Sequence, residues 1–437
     1  MNIMQSEILL IEPKLTFIKK TGLAMFAAGM LFFMISFTAV SRISPLLFFI
    51  LSVVLGCAGA LIFFFAQLKE SPIPGVKKNN IMFLSMTNRG MLGWMTAVFL
   101  TGMYVLIYWF PELLENVIRT FDSLSYTLNG NPANQWFLYG TLYTVAVLVM
   151  GVRMIIHNRH NKYQIIRTIS VMFFQLILAY LIPMFIVNGF FFTYFWPLKY
   201  EYLFPASYDY LIQSGGIGMF MFFWAAVMSF IATPVLTYFY GKRWYCSWVC
   251  GCGAMAETLG DPYRHNSDKS LKSWKIERWM VHSVLLIIII ITALLWIDNA
   301  NENFILKDFS HSAAKWYGFF IGAMFAGVIG VGFYPLMGGR VWCRFGCPMA
   351  AVLGIIQKYF SRFRITVNGG QCISCGNCST YCEMGIDVKS YAQRGQNVIR
   401  ASCVGCGVCS EVCPRGVLRL ENGPVKGRYE LNDDYLR

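Results

Sequence analysis

Residues 372–414 read CISCGNCSTYCEMGIDVKSYAQRGQNVIRASCVGCGVCSEVCP, and this stretch decides the fold of the C-terminal part of the chain. Eight of the fourteen cysteines lie here, in two copies of the spacing C-x2-C-x2-C-x3-C, and the second copy ends in proline. In such a run three thiolates bind one iron-sulfur cubane, and the fourth, displaced by one residue, binds the other cubane. The spacing therefore predicts two [4Fe-4S] clusters that exchange their fourth ligands.

The two ligand sets follow from this exchange. One cluster is expected to bind Cys372, Cys375, Cys378 and Cys413, and the other Cys403, Cys406, Cys409 and Cys382. Zinc fits the pattern less well, because zinc sites usually combine two C-x2-C pairs across a longer loop. Disulfides fit less well too, because they need an oxidising compartment.

This segment resembles the bacterial two-cluster ferredoxins over about 65 residues, and the resemblance implies a small α+β domain that holds both cubanes. It departs from that pattern at one position, because Cys382 is followed by Glu383 and not by proline. The departure leaves ligation intact but places a carboxylate next to one cluster. We therefore expect Glu383 to influence the reduction potential of that cluster.

The rest of the chain is strongly apolar. Of its 437 residues 57% are hydrophobic and only 13% are charged, which excludes an ordinary soluble protein. Eight apolar runs are long enough to cross a ~30 Å hydrocarbon core, so we predict an α-helical polytopic membrane protein with about eight transmembrane helices. The runs are Leu23–Val40, Pro45–Gln67, Met91–Phe110, Phe137–Ile156, Ser170–Phe190, Ile217–Tyr240, Trp279–Ile297 and Tyr317–Met337.

The basic residues predict the orientation of these helices. The formal net charge is +14, but lysine and arginine cluster at the ends of apolar runs, which favours membrane topology over nucleic-acid binding. The N-terminus and alternate loops hold 23 of them, and the opposite loops hold five. By the positive-inside rule the termini and the ferredoxin segment face the cytoplasm.

A second cysteine pattern occurs twice, in GKRWYCSWVCGCGAMAE at 241–257 and GGRVWCRFGCPMAA at 338–351. Each copy contains C-x3-C, pairing Cys246 with Cys250 and Cys343 with Cys347. Positions i and i+4 face the same way on a helix or on its last turn, so each pair is expected to form a two-thiol claw. Internal repeats in membrane proteins commonly enclose a shared site.

We therefore predict that these four thiols hold a third metal centre, expected to be iron-sulfur. Cys252 is an alternative ligand, and Arg243 and Arg340 are expected to offset the negative charge. The alternative is that the thiols are reduced and bind no metal.

Residues from about 215 to 420 resemble the membrane-bound polyferredoxins, which combine paired C-x3-C-P motifs with a C-terminal two-cluster ferredoxin. That family includes the quinol-oxidising membrane subunit of periplasmic nitrate reductase systems, the membrane regulator of nitrous oxide reductase and the cytochrome oxidase assembly ferredoxin. The first claw departs from the family pattern, because Gly251 replaces the expected proline. The resemblance implies a multi-pass protein of the bacterial inner membrane.

The function expected from these features is electron transfer from a quinol or a cytoplasmic donor to a partner redox protein or respiratory complex. The sequence contains no set of catalytic residues beside the predicted clusters. Two alternative functions are an assembly factor that reduces a metal and a redox-sensing regulator. The aromatic stretch NGFFFTYFWPLKYEYLFP at 188–205 is expected to be either an interfacial belt or the wall of a quinone pocket near the outer face. Haem is not expected, since His282 is the one histidine in a predicted span.

Five parts of the chain are predicted. They are an N-terminal four-helix region (1–168), a membrane region with the two claws (169–347), an interfacial linker helix (348–364), the ferredoxin domain (365–421) and a tail (422–437).

Overall fold

A computed structural model describes residues 17–35, 44–69, 89–185, 191–301, 307–368 and 371–422. The described chain is mostly helical and divides into two compact units. The first falls within Met1–Leu84 and Leu106–Tyr139, and the second within Ser85–Val105 and Gly140–Arg437.

The N-terminal helices are α1 (Phe17–Ile35), α2 (Pro45–Lys69), α3 (Met91–Trp109), α4 (Glu115–Arg119) and α5 (Asp122–Asn129). Helices α1 and α2 pack closely through glycine. A Cβ added to Gly29 would lie 2.4 Å from the backbone nitrogen of Gly56, and one added to Gly59 would lie 2.4 Å from that of Phe26. Small residues allow two membrane helices to approach in this way, so the pair is held by backbone proximity.

The helices that follow are α6 (Gln135–His157), α7 (Lys162–Phe173), α8 (Ile182–Phe185), α9 (Pro205–Gln213), α10 (Gly216–Val227), α11 (Thr233–Tyr240), α12 (Arg243–Cys246), α13 (Gly251–Thr258), α14 (Leu271–Ala300), α15 (Lys307–Tyr317), α16 (Gly330–Gly332), α17 (Tyr334–Met337), α18 (Val341–Phe345) and α19 (Pro348–Tyr359). Three π-helical stretches, Phe174–Leu181, Met228–Ala232 and Gly318–Ile329, join some of them into longer helices.

Seven of the described helices are long and apolar enough to cross a membrane. They are Phe17–Ile35, Leu46–Phe63, Gln135–His157, Lys162–Phe185, Gly216–Tyr240, Leu271–Ala300 and Phe309–Gly332. Gly93–Trp109 qualifies only together with its bent continuation Pro111–Arg119, and counting that pair gives eight. The predicted third run, Met91–Phe110, agrees with α3, and the bend lies at its end, because Pro111 lacks a backbone N–H and begins a new turn.

Some helix ends differ from the prediction. The fifth span begins at Lys162 and not at Ser170, and the seventh begins at Leu271 and not at Trp279. Both added segments are polar, and hydropathy alone does not reveal a helix that continues beyond its apolar part. Residues 36–40 and 186–190, which belong to the first and fifth predicted runs, lie outside the described residues.

The two cysteine repeats have the same local architecture. Each begins with a long apolar helix, continues through a glycine with positive φ (Gly241 at 70° and Gly338 at 87°), and ends in a short and then a second helix. The short helices are α12 and α18, and the second helices are α13 and α19. The repeat seen in the sequence is therefore also a repeat in three dimensions.

The C-terminal segment forms a small α+β domain. Strands β1 (Phe363–Val367) and β2 (Leu418–Asn422) pair antiparallel, with Phe363 opposite Asn422 and Val367 opposite Leu418. Between them lie the short helices α20 (Asn377–Thr380), α21 (Val388–Gln393) and α22 (Val408–Glu411). The strands bring the two ends of the segment together, and all eight of its cysteines lie on the loops and short helices between them.

Candidate metal centres

The outer quartet, Cys372, Cys375, Cys378 and Cys413, lines one small cavity of the ferredoxin domain. Cys375 is exposed and Cys378 is buried. Burial, assisted by the neighbouring thiols of Cys375, Cys413 and Cys372, raises the pKa of the Cys378 thiol to about 11. The structure thus brings Cys413 to the first triplet, which is the arrangement expected from exchanged fourth ligands.

The inner quartet, Cys403, Cys406, Cys409 and Cys382, forms a second group. The pKa of Cys409 is raised well above its usual value by burial, and then by the charges of Cys406, Cys403 and Cys382. The third cysteine of each triplet lies in a short helix with the same entry: Gly376 and Gly407 both have φ of 82° and cap α20 and α22. Glycine adopts this left-handed conformation without strain, so both loops keep the same shape.

Hydrogen bonds from the helical region hold the loop of the inner quartet. Tyr163 donates to the carbonyl of Gly405 (2.9 Å), Gln164 to that of Cys406 (3.0 Å) and Ser247 to that of Val404 (2.8 Å). Each donor belongs to α7 or to the segment of the first claw. The inner quartet therefore faces the claws.

Gln357 of α19 ties the claws to the same loop. Its side chain is buried, donates to the carbonyls of Arg400 (2.8 Å) and Cys403 (2.7 Å), and accepts from the backbone N–H of Lys242 (2.6 Å). A Cβ on Gly354, one helical turn earlier, would lie 2.8 Å from the carbonyl oxygen of Ala401. The ferredoxin loop thus lies directly against α19.

The claw quartet is Cys246, Cys250, Cys343 and Cys347, and each of these residues is between 4% and 6% exposed. The expected continuous helix through each pair is wrong. Cys246 ends α12 and Cys343 lies in α18, whereas Cys250 and Cys347 have extended backbone and cap the next helices, α13 and α19. The chain breaks between the two thiols because each second cysteine starts a new helix.

The four thiols of the claw quartet influence one another. Burial raises the pKa of Cys246 to about 12, with Cys250 and Cys343 adding to the rise. The pKa of Cys347 is raised well above its usual value by burial, and then by Cys343, Cys250 and Cys246. All four belong to one buried cluster of side chains. The two claws therefore lie close to each other, and the metal centre expected between them stays a prediction.

Two buried cations stand beside these thiols. Arg340 lies with Nη1 3.1 Å from the carbonyl oxygen of Cys246 and 3.7 Å from Sγ of Cys343. Lys242, 2% exposed, lowers the pKa of both Cys246 and Cys343. Arg243, which was expected to offset the charge of these thiols, instead stacks its guanidinium on the ring of Phe363, 4.7 Å from its centre.

The packing around Gly251 explains the missing proline of the first claw. A Cβ at this position would lie 2.4 Å from the Tyr194 hydroxyl and 2.9 Å from both Oε1 of Gln175 and the Tyr143 hydroxyl. Tyr143 also donates to the carbonyl of Gly251 (2.8 Å). A proline ring does not fit in this space, which is filled by polar side chains from three other segments.

Cys252 is a fifth thiol at the claws. The pKa of Cys250 is lowered to about 7, mainly because its thiol forms a hydrogen bond with the Cys252 side chain. The backbone N–H groups of Gly253 and Cys252 also lower it. The same hydrogen bond to Cys250, together with burial, raises the pKa of Cys252 well above its usual value, and the charges of Cys343 and Cys347 add to the rise. Cys252 thus lies beside the claw quartet, as an alternative ligand requires.

A buried ionic network, which sequence reasoning missed, runs from the claws to the inner quartet. Glu257 pairs with both Arg167 and Arg340, and Glu383 pairs with Arg340 (3.0 Å) and Arg264 (2.8 Å). These five side chains are at most 4% exposed. Arg340 therefore touches the claws at one end and the carboxylate next to Cys382 at the other.

The aromatic stretch at 188–205 also reaches the claws where it is described, from residue 191 on. Phe195 is 1% exposed and packs on Tyr245, with ring centres 5.2 Å apart. The Tyr245 hydroxyl donates to the carbonyl of Thr193 (2.8 Å). The segment thus folds back to the residue next to Cys246 and contributes to the wall around the claws, a contact that hydropathy does not reveal.

The donor chemistry of the three quartets fits iron-sulfur clusters. Each is made of thiols alone, and soft thiolate ligands select iron-sulfur clusters, zinc or copper(I). Among the described residues, no three His, Cys, Asp or Glu side chains gather closely enough to hold a single metal ion.

Comparisons with known proteins agree with this geometry. Residues 365–420 match the sequence model of a 4Fe-4S dicluster domain. Residues 222–270 and 317–368 both match that of a 4Fe-4S binding domain, which confirms that the two claw segments are copies of one unit. The C-terminal domain is therefore of the two-cluster ferredoxin type. Together these features support an iron-sulfur electron-transfer protein.

The chain is also similar to YccM of Escherichia coli (strain K12), whose name proposes a role in electron transport. The two are 30% identical over 179 residues, or 39% of this chain. The match spans 49% of YccM, about half its length. No solved structure matches the chain. These findings do not distinguish among the nitrate reductase, nitrous oxide reductase and oxidase assembly relatives, so that finer expectation stays a prediction.

Proposed function

We propose that the chain is a membrane-anchored relay that passes electrons through three iron-sulfur centres, in the order claw quartet, inner quartet, outer quartet. The observation that carries the proposal is the placement of the cysteines. Two quartets lie in one ferredoxin domain, and a third is buried against the loop of the inner one. When bound, cubanes supply one-electron transfer with little rearrangement, which suits a relay.

The contacts support this order. Gln357 bonds both to Lys242, four residues before Cys246, and to the carbonyl of Cys403. Ser247, next to Cys246, bonds to the carbonyl of Val404. The inner quartet is therefore the neighbour of the claws, whereas the outer quartet has an exposed cysteine, Cys375, from which a partner protein can take or receive electrons.

The buried cations support a cluster at the claws. A buried ammonium or guanidinium is costly unless an anion lies beside it. Lys242 has no carboxylate partner in the described part of the chain, and its ammonium instead donates weakly to the carbonyl of Ala401, at 3.4 Å. A thiolate-ligated cluster held by Cys246, Cys250, Cys343 and Cys347 supplies the missing negative charge. Arg340 stabilises the same charge from the other side.

The ionic network around Glu383 is proposed to hold a negative charge beside the inner cluster. Cys382 is its expected fourth ligand, and Sγ of Cys382 accepts from the backbone N–H of Ile386 (3.4 Å). Glu383 is held by Arg264 and Arg340, which stabilise it as a carboxylate and keep its pKa low, against the cost of burial. A fixed negative charge lowers the reduction potential of a neighbouring cluster.

Membrane insertion, cytoplasmic orientation and the partners belong to the same proposal. The seven apolar helices and the distribution of basic residues support a ferredoxin domain on the cytoplasmic side of a bacterial inner membrane. A quinol in the membrane and a soluble or complex-bound redox protein are the proposed donor and acceptor.

Blocking the middle of the relay tests the proposed order. The purified full-length chain is reduced through a quinol analogue, and the outer cluster is followed by electron paramagnetic resonance. In Cys403→Ser/Cys406→Ser we expect the claw centre to be reduced as before and the outer cluster to stay oxidised. Equally fast reduction of the outer cluster would exclude the inner cluster as the intermediate.

A further inference from the structure

A cavity of about 280 Å3 lies between the start of α14, helix α19 and the loop 399–402 that precedes Cys403. Five cationic side chains line it: Lys242, Arg278, Arg344, Lys358 and Arg400. Glu277 is the one carboxylate in the lining, and it is already paired with Arg344 (3.0 Å). Lys242 also faces the claw thiols and Arg344 is paired, so the excess positive charge of the cavity comes from Arg278, Lys358 and Arg400.

Two of these cations are held together without an anion. The guanidinium carbons of Arg278 and Arg400 lie 5.1 Å and 4.6 Å from the centre of the Trp274 ring. Arg400 also donates to the Tyr391 hydroxyl (3.1 Å). Neither arginine pairs with a carboxylate of the described chain. Like charges on one ring repel each other, and an anion bound in the cavity removes that repulsion.

The cavity lies at the depth expected for lipid headgroups. Helix α14 has 30 residues and is about 45 Å long. Because the hydrocarbon core is about 30 Å thick, roughly ten residues of α14 extend beyond it. Trp279 follows Arg278 and is 76% exposed, and Tyr359 follows Lys358 and is 66% exposed. Exposed aromatic residues of this kind mark the membrane interface.

We propose that the cavity binds the phosphate of an anionic phospholipid headgroup. Basic pockets beside membrane helices on the cytoplasmic side recognise such headgroups. A soluble phosphate offers the same chemistry, but a lipid also matches the interfacial depth and the apolar lining residues Val281 and Ala351. The inference rests on the membrane insertion in the proposed function. A lipid at this position joins α14 to the loop before Cys403 and holds the ferredoxin domain at the membrane edge.

A pair of matched variants tests this site. Arg278→Gln/Arg400→Gln removes two positive charges from the cavity. Lys272→Gln/Lys275→Gln removes two from exposed positions of α14 that do not line it. The full-length chain, purified in neutral detergent, is titrated with phosphatidylglycerol, phosphatidylcholine or inorganic phosphate and followed by native mass spectrometry. Recovery in the membrane fraction is scored separately, so that failed membrane anchoring is distinguished from a failed lipid site.

The expected result is preferential binding of phosphatidylglycerol over phosphatidylcholine, weakened about tenfold or more in the cavity variant and less than twofold in the surface variant. Arg278→Lys/Arg400→Lys keeps the charge, and we expect it to retain most of the binding. Equal losses in the two glutamine variants would overturn the proposal, because they indicate attraction to the surface as a whole. Inorganic phosphate that competes as well as the lipid would overturn the assignment to a phospholipid.

Discussion

The outer quartet and the claw quartet are both sets of four cysteines, yet the protein surrounds them differently. Cys375 of the outer quartet is exposed, and its cavity lies at the surface of the ferredoxin domain. All four claw thiols are buried beside Lys242 and Arg340. A cluster at the surface has its charge screened by water, whereas a buried cluster needs fixed cations. In the proposed relay, the surface site therefore suits exchange with a partner, and the buried site suits transfer within the chain.

The largest expected effect tests this difference through one arginine at each site. Arg340→Met leaves Glu257, Glu383 and the claw thiols with less positive charge, and removing one partner of a buried ion pair costs about 3–5 kcal/mol. Arg415→Met, at the exposed rim of the outer cavity, is expected to cost less than about 0.5 kcal/mol. Thermal unfolding of both variants in detergent measures the difference, and comparable losses would show that the claws do not depend on a fixed cation.

A second test concerns packing at the first claw. Gly251→Ala introduces a Cβ that meets the Tyr194 hydroxyl at 2.4 Å, and overpacking of this kind costs about 1–3 kcal/mol. Gly216→Ala is the control, because nothing lies within 4 Å of its added Cβ. We expect the control to stay within about 0.5 kcal/mol of the parent in the same unfolding experiment. If the stability of Gly251→Ala equals that of the parent, the side chains around Gly251 move enough to accommodate the added Cβ.

The smallest expected effect is electrostatic. Glu383→Gln removes a negative charge next to Cys382, which favours the reduced state of the inner cluster. Its reduction potential is expected to rise by roughly 60 mV, a factor of about ten in the one-electron equilibrium. The outer cluster, which has a different ligand set, serves as the internal control in the same redox titration. Equal shifts of both clusters would assign the effect to a general change in the domain.

The sequence predicted what depends on local spacing. The eight ferredoxin cysteines, the repeat of the claws and most apolar helices follow from periodicities of a few residues, and the structure or the sequence matches agree with them. The grouping of Cys413 with the first triplet was also expected, because the motif carries it. The assignment of individual ligands stays a prediction.

The rest depends on contacts between distant parts of the chain. Glu257 and Arg340 are 83 residues apart, and Arg264 and Glu383 are 119 residues apart. Nothing in the local sequence distinguishes a charged residue of these buried ion pairs from a charged residue at the surface. The break of the helix inside each claw was missed for a related reason, because a cysteine that caps a helix looks the same in the sequence as one that continues it.

Iron and acid-labile sulfide content of the full-length chain tests the central claim most directly. Three cubanes predict about twelve irons per chain, and Cys246→Ser/Cys343→Ser is expected to lower the count to about eight while both ferredoxin signals persist in the electron paramagnetic resonance spectrum. About eight irons in the parent chain, unchanged by this double substitution, would contradict a centre at the claws.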